Sequence, residues 1–185
     1  MDMKTKTILL ITVALVVGIL SGGIFTNANK KNMATDNQSI SSAPSINYQQ
    51  NIKHLEDILA KEPDNRNALV QLGHNYFDSN QPMKAIEAYD RALNMDANDP
   101  DVLTDQGVMY RRVGWFGKAV ENFEKANELN PYHVQSLYNL GIVFRDDLGD
   151  QKKAKEAWIK YLEIAPAGKN SDQVRIMIDH MENGH

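Results

Sequence analysis

The sequence contains no cysteine among its 185 residues. Disulfides, thiol catalysis, CxxC redox chemistry, covalent c-type haem attachment and a lipid-modified N-terminal cysteine are all excluded on that ground. Glycine-rich phosphate loops of the GxGxxG or GxxxxGK kind are missing too, because the 11 glycines are scattered along the chain. His54, His74, His133, His180 and His185 fall on separate segments without HExxH or another ligand spacing, so they read as solvent or packing residues and no metal is expected. There is no excess of positive charge: the formal net charge is −4, and Met1 to Lys31 carries four lysines against one aspartate, which leaves −4 less +3, or −7, for the rest. An acidic body argues against nucleic acid as a partner. Acidic residues are frequent but form no site, so no catalytic residue and no cofactor is expected, and the chain does not read as an enzyme.

What the sequence does have is a unit that recurs. Between Asp101 and Pro131 the marked positions are Leu103, Gly107, Tyr110, Ala119, Phe123, Ala126 and Pro131. Stepping back 34 residues gives Leu69, Gly73, Tyr76, Ala85, Tyr89 and Ala92; stepping forward 34 gives Leu137, Gly141 and Phe144, and 35 gives Ala154, Trp158 and Pro166. Leu103, Gly107 and Tyr110 stand at i, i+4 and i+7, one face of an α-helix. Gly107 admits a neighbouring helix close to its backbone, and Ala119 and Ala126 do so at less cost to the helix. Asn80, Gly114 and Gly149 mark the turns between paired helices, since all three residues tolerate the left-handed conformation.

This pattern resembles the tetratricopeptide repeat, a helix-turn-helix unit of about 34 residues. The resemblance implies an all-α fold, an α-solenoid of three repeats with an N-terminal partial unit and a C-terminal capping helix. Residues 66–99, 100–133 and 134–168 are the expected repeats, with a capping helix in 48–65 and another in 169–185. The third repeat holds one extra residue near "RDDLGDQ", expected to be absorbed in the turn so that Trp158 and Ala154 stay on the packing face. Tyr161 replaces the alanine of the other repeats and is expected to widen the gap to the closing helix.

Long apolar runs are scarce, with one exception. Ile8 to Phe25 holds twelve Ile, Leu, Val or Phe residues, about the length that spans a bilayer. Residues 1–26 therefore read as a retained signal-anchor, in contact with lipid through residues 8–25. Cleavage near Thr26-Asn27-Ala28 and secretion is the alternative. Lys4 and Lys6 suggest an inner (cytoplasmic) membrane protein with one pass and its repeats in the periplasm, although Lys30 and Lys31 oppose that orientation. Residues 27–47, polar and low in complexity, read as a flexible linker.

In repeats of this kind the first helix of each unit lines a concave groove that binds peptides or partner helices. The positions beside the packing stripe are Asn67, Val70, His74 and Phe77; Asp101, Thr104, Val108, Arg111 and Arg112; then Gln135, Tyr138, Ile142 and Arg145. The arginines either receive partner carboxylates or pair with Asp105, Asp146 or Asp147 on a solvated surface. One subfamily clamps chaperone C-termini with lysines and asparagines. The corresponding residues here are Val70, His74, Asp105, Gln135 and Asn139, and only Asn139 matches, so that use is rejected. Trp115, in a turn, is either an exposed partner contact or buried against the next unit. The expected function is a membrane-tethered adaptor that binds a protein or peptide in its groove. The alternatives are a self-associating scaffold, hence a homo-oligomer, or an assembly factor of the kind that assists cytochrome c maturation.

Overall fold

The computed structural model describes residues 47–184. Eight α-helices follow one another in this span: α1 Tyr48–Lys61, α2 Arg66–Asp78, α3 Pro82–Met95, α4 Pro100–Arg112, α5 Phe116–Leu129, α6 Val134–Ile142, α7 Gln151–Ile164 and α8 Lys169–Asn183. A π-helical turn, Val143–Asp147, extends α6. No strand occurs among the described residues. The helices pack as hairpins, α2 with α3, α4 with α5 and α6 with α7, and each hairpin stacks on the next through its second helix.

Local chemistry starts each helix where it starts. Asn47, Asn65, Asp99 and Asp150 accept the backbone N–H three residues on, and Pro82 and Pro100 occupy first-turn positions where a missing N–H costs nothing. His133 caps α6 through its ring nitrogen, which accepts from the Ser136 N–H at 3.3 Å. Asn80, Gly114 and Gly149 all carry positive φ, at 56°, 80° and 69°. In the first two turns the chain closes as a Schellman motif, with Gln81 N–H donating to Tyr76 C=O and Trp115 N–H to Tyr110 C=O.

One feature locks each hairpin shut. A Cβ added to Gly73, Gly107 or Gly141 would lie 2.3, 2.5 or 1.9 Å from the ring of Tyr89, Phe123 or Trp158. Each aromatic ring lies on bare backbone of the partner helix, and all three are fully buried. Tyr76 donates to Glu56 at 2.7 Å and Tyr110 to Asp90 at 3.4 Å, fastening two hairpins to the helix before them. Burial, and then these carboxylates, push both phenols up to about 12.

The extra residue of the third repeat is not absorbed in the turn. The turn Leu148-Gly149-Asp150 matches its counterparts, while Asp150 N–H donates to Phe144 C=O across six residues instead of five. The insertion is taken up in the helix as the π-helical turn, so Phe144, Trp158 and Ala154 all stay buried. Tyr161 is buried beside Tyr138, and α8 covers the end of the array with Val174 and Met177.

The expected inner-membrane, periplasmic location is corrected. Among the described residues no helix is long and apolar enough to cross a membrane. The longest, α8, has 15 residues, about 22 Å at 1.5 Å per residue, against about 30 Å of hydrocarbon. The signal-anchor of residues 1–26, its bilayer contact through residues 8–25 and the linker up to residue 46 lie outside the described residues.

Candidate partner-binding groove

The first helices of the three hairpins, α2, α4 and α6, lie side by side and form the face on which the groove was expected. Asn67, His74, Asp101, Arg112 and Gln135 are exposed there; Val70, Phe77, Val108, Arg111, Tyr138, Ile142 and Arg145 are half-buried. Thr104 departs from the expectation: it is buried, with its hydroxyl 3.4 Å from His133 Nδ1. Two clefts run along this face. One of about 560 Å³ is lined by His74, Asp101, Asp105, Tyr132 and His133 among others, and one of about 350 Å³ by Val108, Arg111, Arg112, Asn139 and Asp147.

The arginines are already engaged. Arg111 pairs with Asp147, with Asp146 at 3.8 Å, and Arg145 lies 2.5 Å from Asp146. Arg112 lies over the Phe77 ring at 4.6 Å and donates to the Phe77 carbonyl at 3.3 Å. The π-helical turn carries Asp146 and Asp147, so the inserted residue is tied to this pairing. The sequence left open whether these cations wait for a partner or pair within the surface; Arg111 and Arg145 take the second course, while Arg112 meets no carboxylate among the described residues.

The other end of the face is acidic. His74 Nε2 lies 3.2 Å from Asp105, joining α2 to α4, and His133 Nε2 lies 3.0 Å from Asp101, joining the start of α6 to the first turn of α4. Arg66 and Asp99 make a third such tie at 2.7 Å. Burial alone would raise Asp99, but the Arg66 guanidinium and the Val102 N–H outweigh it and hold the carboxyl below its usual range. The Asp105 hydrogen bond raises the proton affinity of His74 above that of a free imidazole, against partial burial that lowers it. A raised folded-state value means that the bridge stabilises fully below the unfolded value of about 6.5 and that this contribution is lost as pH rises through the folded value. Denaturation midpoints of the native chain, relative to His74→Gln, should therefore fall between pH 6 and 8.5. The change should be small, since the side chains are 47% and 37% exposed. A flat difference would show that the bridge contributes nothing.

Trp115 is 42% exposed and is not buried in the next hairpin; its ring meets Tyr110 at 5.8 Å and Lys118 Nζ lies 4.9 Å above it. Tyr132 and His133 line this face and were not expected there; Asp105 and Asp147, named as partners for the arginines, line it too. Asp105 shares a stripe with Asp101 at i−4 and Val108 at i+3, and that spacing was the signal available for it. Among the described residues no group of three metal-binding side chains occurs.

A stack of helical hairpins that presents a continuous face over three helices defines a protein-interaction adaptor. Tetratricopeptide repeat models match residues 47–104, 100–133 and 134–167, and the chain belongs to the tetratricopeptide repeat family. It is 30% identical over 116 residues to human protein O-mannosyl-transferase TMTC3, covering 60% of this chain and 13% of that protein. It is 34% identical over 85 residues to the heat-shock protein cognate co-chaperone sgt12 of Aspergillus fumigatus, covering 46% of this chain and 25% of that one. The crystal structure of MamA superposes with a TM-score of 0.69 at 26% identity, over 74% of this chain and 78% of MamA. The chain thus spans a quarter or less of these two sequence relatives' own lengths, and the transferase activity in the first name does not pass to it.

Proposed function

We propose that the protein is an adaptor that holds a peptide or helical segment of a partner protein along the face of α2, α4 and α6. The observation that carries this reading is a line of partly covered apolar side chains, Val70, Phe77, Val108, Tyr138 and Ile142, running over three successive helices. Side chains in such a line gain by burial under a partner, at about 25 cal/mol per Å² of apolar surface removed from water. The closing helix α8 packs on α7, so the array's own end does not occupy that line. The likeness to a co-chaperone, a protein that works on another protein, supports the same reading.

The test uses a photo-crosslinking residue placed in the full chain at Val108 or Tyr138, and separately at the exposed Met83 or Ile159 of the second helices. Discrete adducts to one partner segment are expected from the first pair and not from the second. Equal yields from all four sites, or adducts only between copies of this chain, would sink the adaptor reading and leave a self-associating scaffold.

A further inference from the structure

At the arginine-rich end of the groove Arg111 and Arg145 pair with Asp146 and Asp147, whereas the carboxylates lining the cleft at the acidic end have only imidazole partners among the described residues. The residues that line the 560 Å³ cleft, His74, Asp101, Thr104, Asp105, Asn130, Tyr132, His133, Val134 and Gln135, include no lysine and no arginine. Asp101 is 87% exposed in its side chain, and its ion-pair partner is an imidazole, that of His133. That ring accepts the Ser136 N–H at Nδ1, so its proton sits on Nε2 and it meets Asp101 as a neutral donor. The carboxylate charge therefore remains uncompensated. Asp105 has an imidazole too, His74, whose proton affinity it raises, and no lysine or arginine among the described residues. Asp101 and Asp105 are four residues apart on α4, one above the other on the same face, about 5–6 Å between their Cβ atoms.

Two further side chains stand at or behind the wall of this cleft. Tyr132 exposes 77% of its surface at the rim of the cleft, a ring to which nothing among the described residues offers a cation. Behind the His74 ring, 5.8 Å away edge to face, Tyr89 is fully buried, yet its hydroxyl has no hydrogen-bond partner. Burial, and then the charges of Asp105 and Asp78, push that phenol up. A carboxylate met by a neutral imidazole, a second carboxylate whose one ion-pair partner among the described residues is the half-exposed His74, and a free aromatic face together suit a donor with positive charge.

We propose that this end of the groove receives a lysine or arginine side chain of the partner, set between Asp101 and Asp105 against Tyr132. An apolar residue within about three positions of it lies along Val108 and Ile142. Asp101 and Val108 are seven residues apart on α4, about 10 Å along the axis, which an extended segment spans in about three residues. The occupant is thus a basic and apolar segment. This inference rests on the groove being the binding face.

The test pans a phage-displayed library of random dodecapeptides on the full chain and resynthesises a recovered peptide with citrulline in place of its arginine. Recovered sequences should be enriched in lysine or arginine with an apolar residue within three positions. Asp101→Asn with Asp105→Asn should weaken the chosen peptide about ten-fold, the order of one charge-assisted contact. Citrulline should do the same, with little further loss when the two changes are combined. Asparagine still accepts from both imidazoles, so melting should be unchanged. A second variant, Asp101→Lys with Asp105→Lys, should select acidic peptides instead, a reversal that a damaged fold does not produce. Enrichment of acidic or uncharged peptides on the native chain, or equal affinity for the asparagine variant, overturns the cation site. If those peptides are still lost on Ile142→Glu, the groove itself stands. Recovery of no peptide at all overturns both.

Discussion

Replacing Trp158 by alanine should remove about 3–5 kcal/mol of stability, the largest effect expected of any single truncation in this chain. Trp158 is fully buried on α7 and lies on Gly141 of α6, where a Cβ would fall 1.9 Å from its indole nitrogen. That nitrogen donates to the Tyr138 carbonyl at 3.1 Å, and the Arg145 guanidinium lies 5.0 Å over the ring. Truncation thus opens a cavity between the two helices of the hairpin, strands a backbone carbonyl and releases a cation. Small domains have about 5–15 kcal/mol in total, so the variant stands near the edge of folding. Trp158→Phe keeps most of the volume but not the hydrogen bond, and should cost about 1–2 kcal/mol. Urea unfolding followed by circular dichroism measures both, and a loss below about 1 kcal/mol for the alanine variant would refute the lock. Because the sequence has only two tryptophans, fluorescence gives a second reading: the buried one should supply the blue-shifted emission, which vanishes with Trp158 and survives the loss of the exposed Trp115.

The recurring glycines and aromatics were legible in the sequence because each stands on one of two neighbouring helices, at one spacing in the first two hairpins and one residue wider in the third. Spacing marked Gly107 as a place of close approach and Tyr89, Phe123 and Trp158 as equivalent aromatics; that each ring lies on the glycine of its own hairpin is seen only in the structure. The one-residue insertion was legible as a fact but not in its location. A turn and a helix can each absorb one residue, and the choice falls to the helix because Gly149 must keep its positive φ and Phe144 its place in the core. The fate of the arginines followed from that choice, since Asp147 stands 36 residues beyond Arg111 and reaches it from the π-helical turn. Thr104 was read as exposed because it borders the packing stripe, and the width of a buried face depends on how close the next helix comes. The role of His133 as a cap was hidden, because histidine is not among the residues that usually start helices.

A pattern of substitution within the repeat supports the second large expectation. Leu72 and Leu140 are buried at one position of the first helix, and Ala88 and Ala157 at one position of the second. Each pair lines a cleft, of about 430 and 470 Å³. In the middle hairpin these positions are Gln106, 2% exposed, and Asn122. They form a polar chain: Asn122 Nδ2 donates to Gln106 Oε1 at 2.7 Å and to the Leu103 carbonyl at 3.2 Å, while Gln106 Nε2 donates to Asp90 at 2.6 Å and to the Ile86 carbonyl at 3.3 Å. Asn122→Ala removes the donor that satisfies the buried Gln106 oxygen, and should cost about 1–3 kcal/mol. Adding Gln106→Leu to that variant removes the stranded acceptor and gives the middle hairpin the leucine and alanine of its neighbours. The double variant should recover the native stability or exceed it, because replacing both partners of a buried polar pair with apolar groups of like shape is close to neutral. The coupling energy from such a cycle isolates the pair. If the double variant were less stable than Asn122→Ala alone, the network would be contributing through Asp90 and Tyr110 to the joint between hairpins, and the simple exchange of polar for apolar packing would be the wrong account of it.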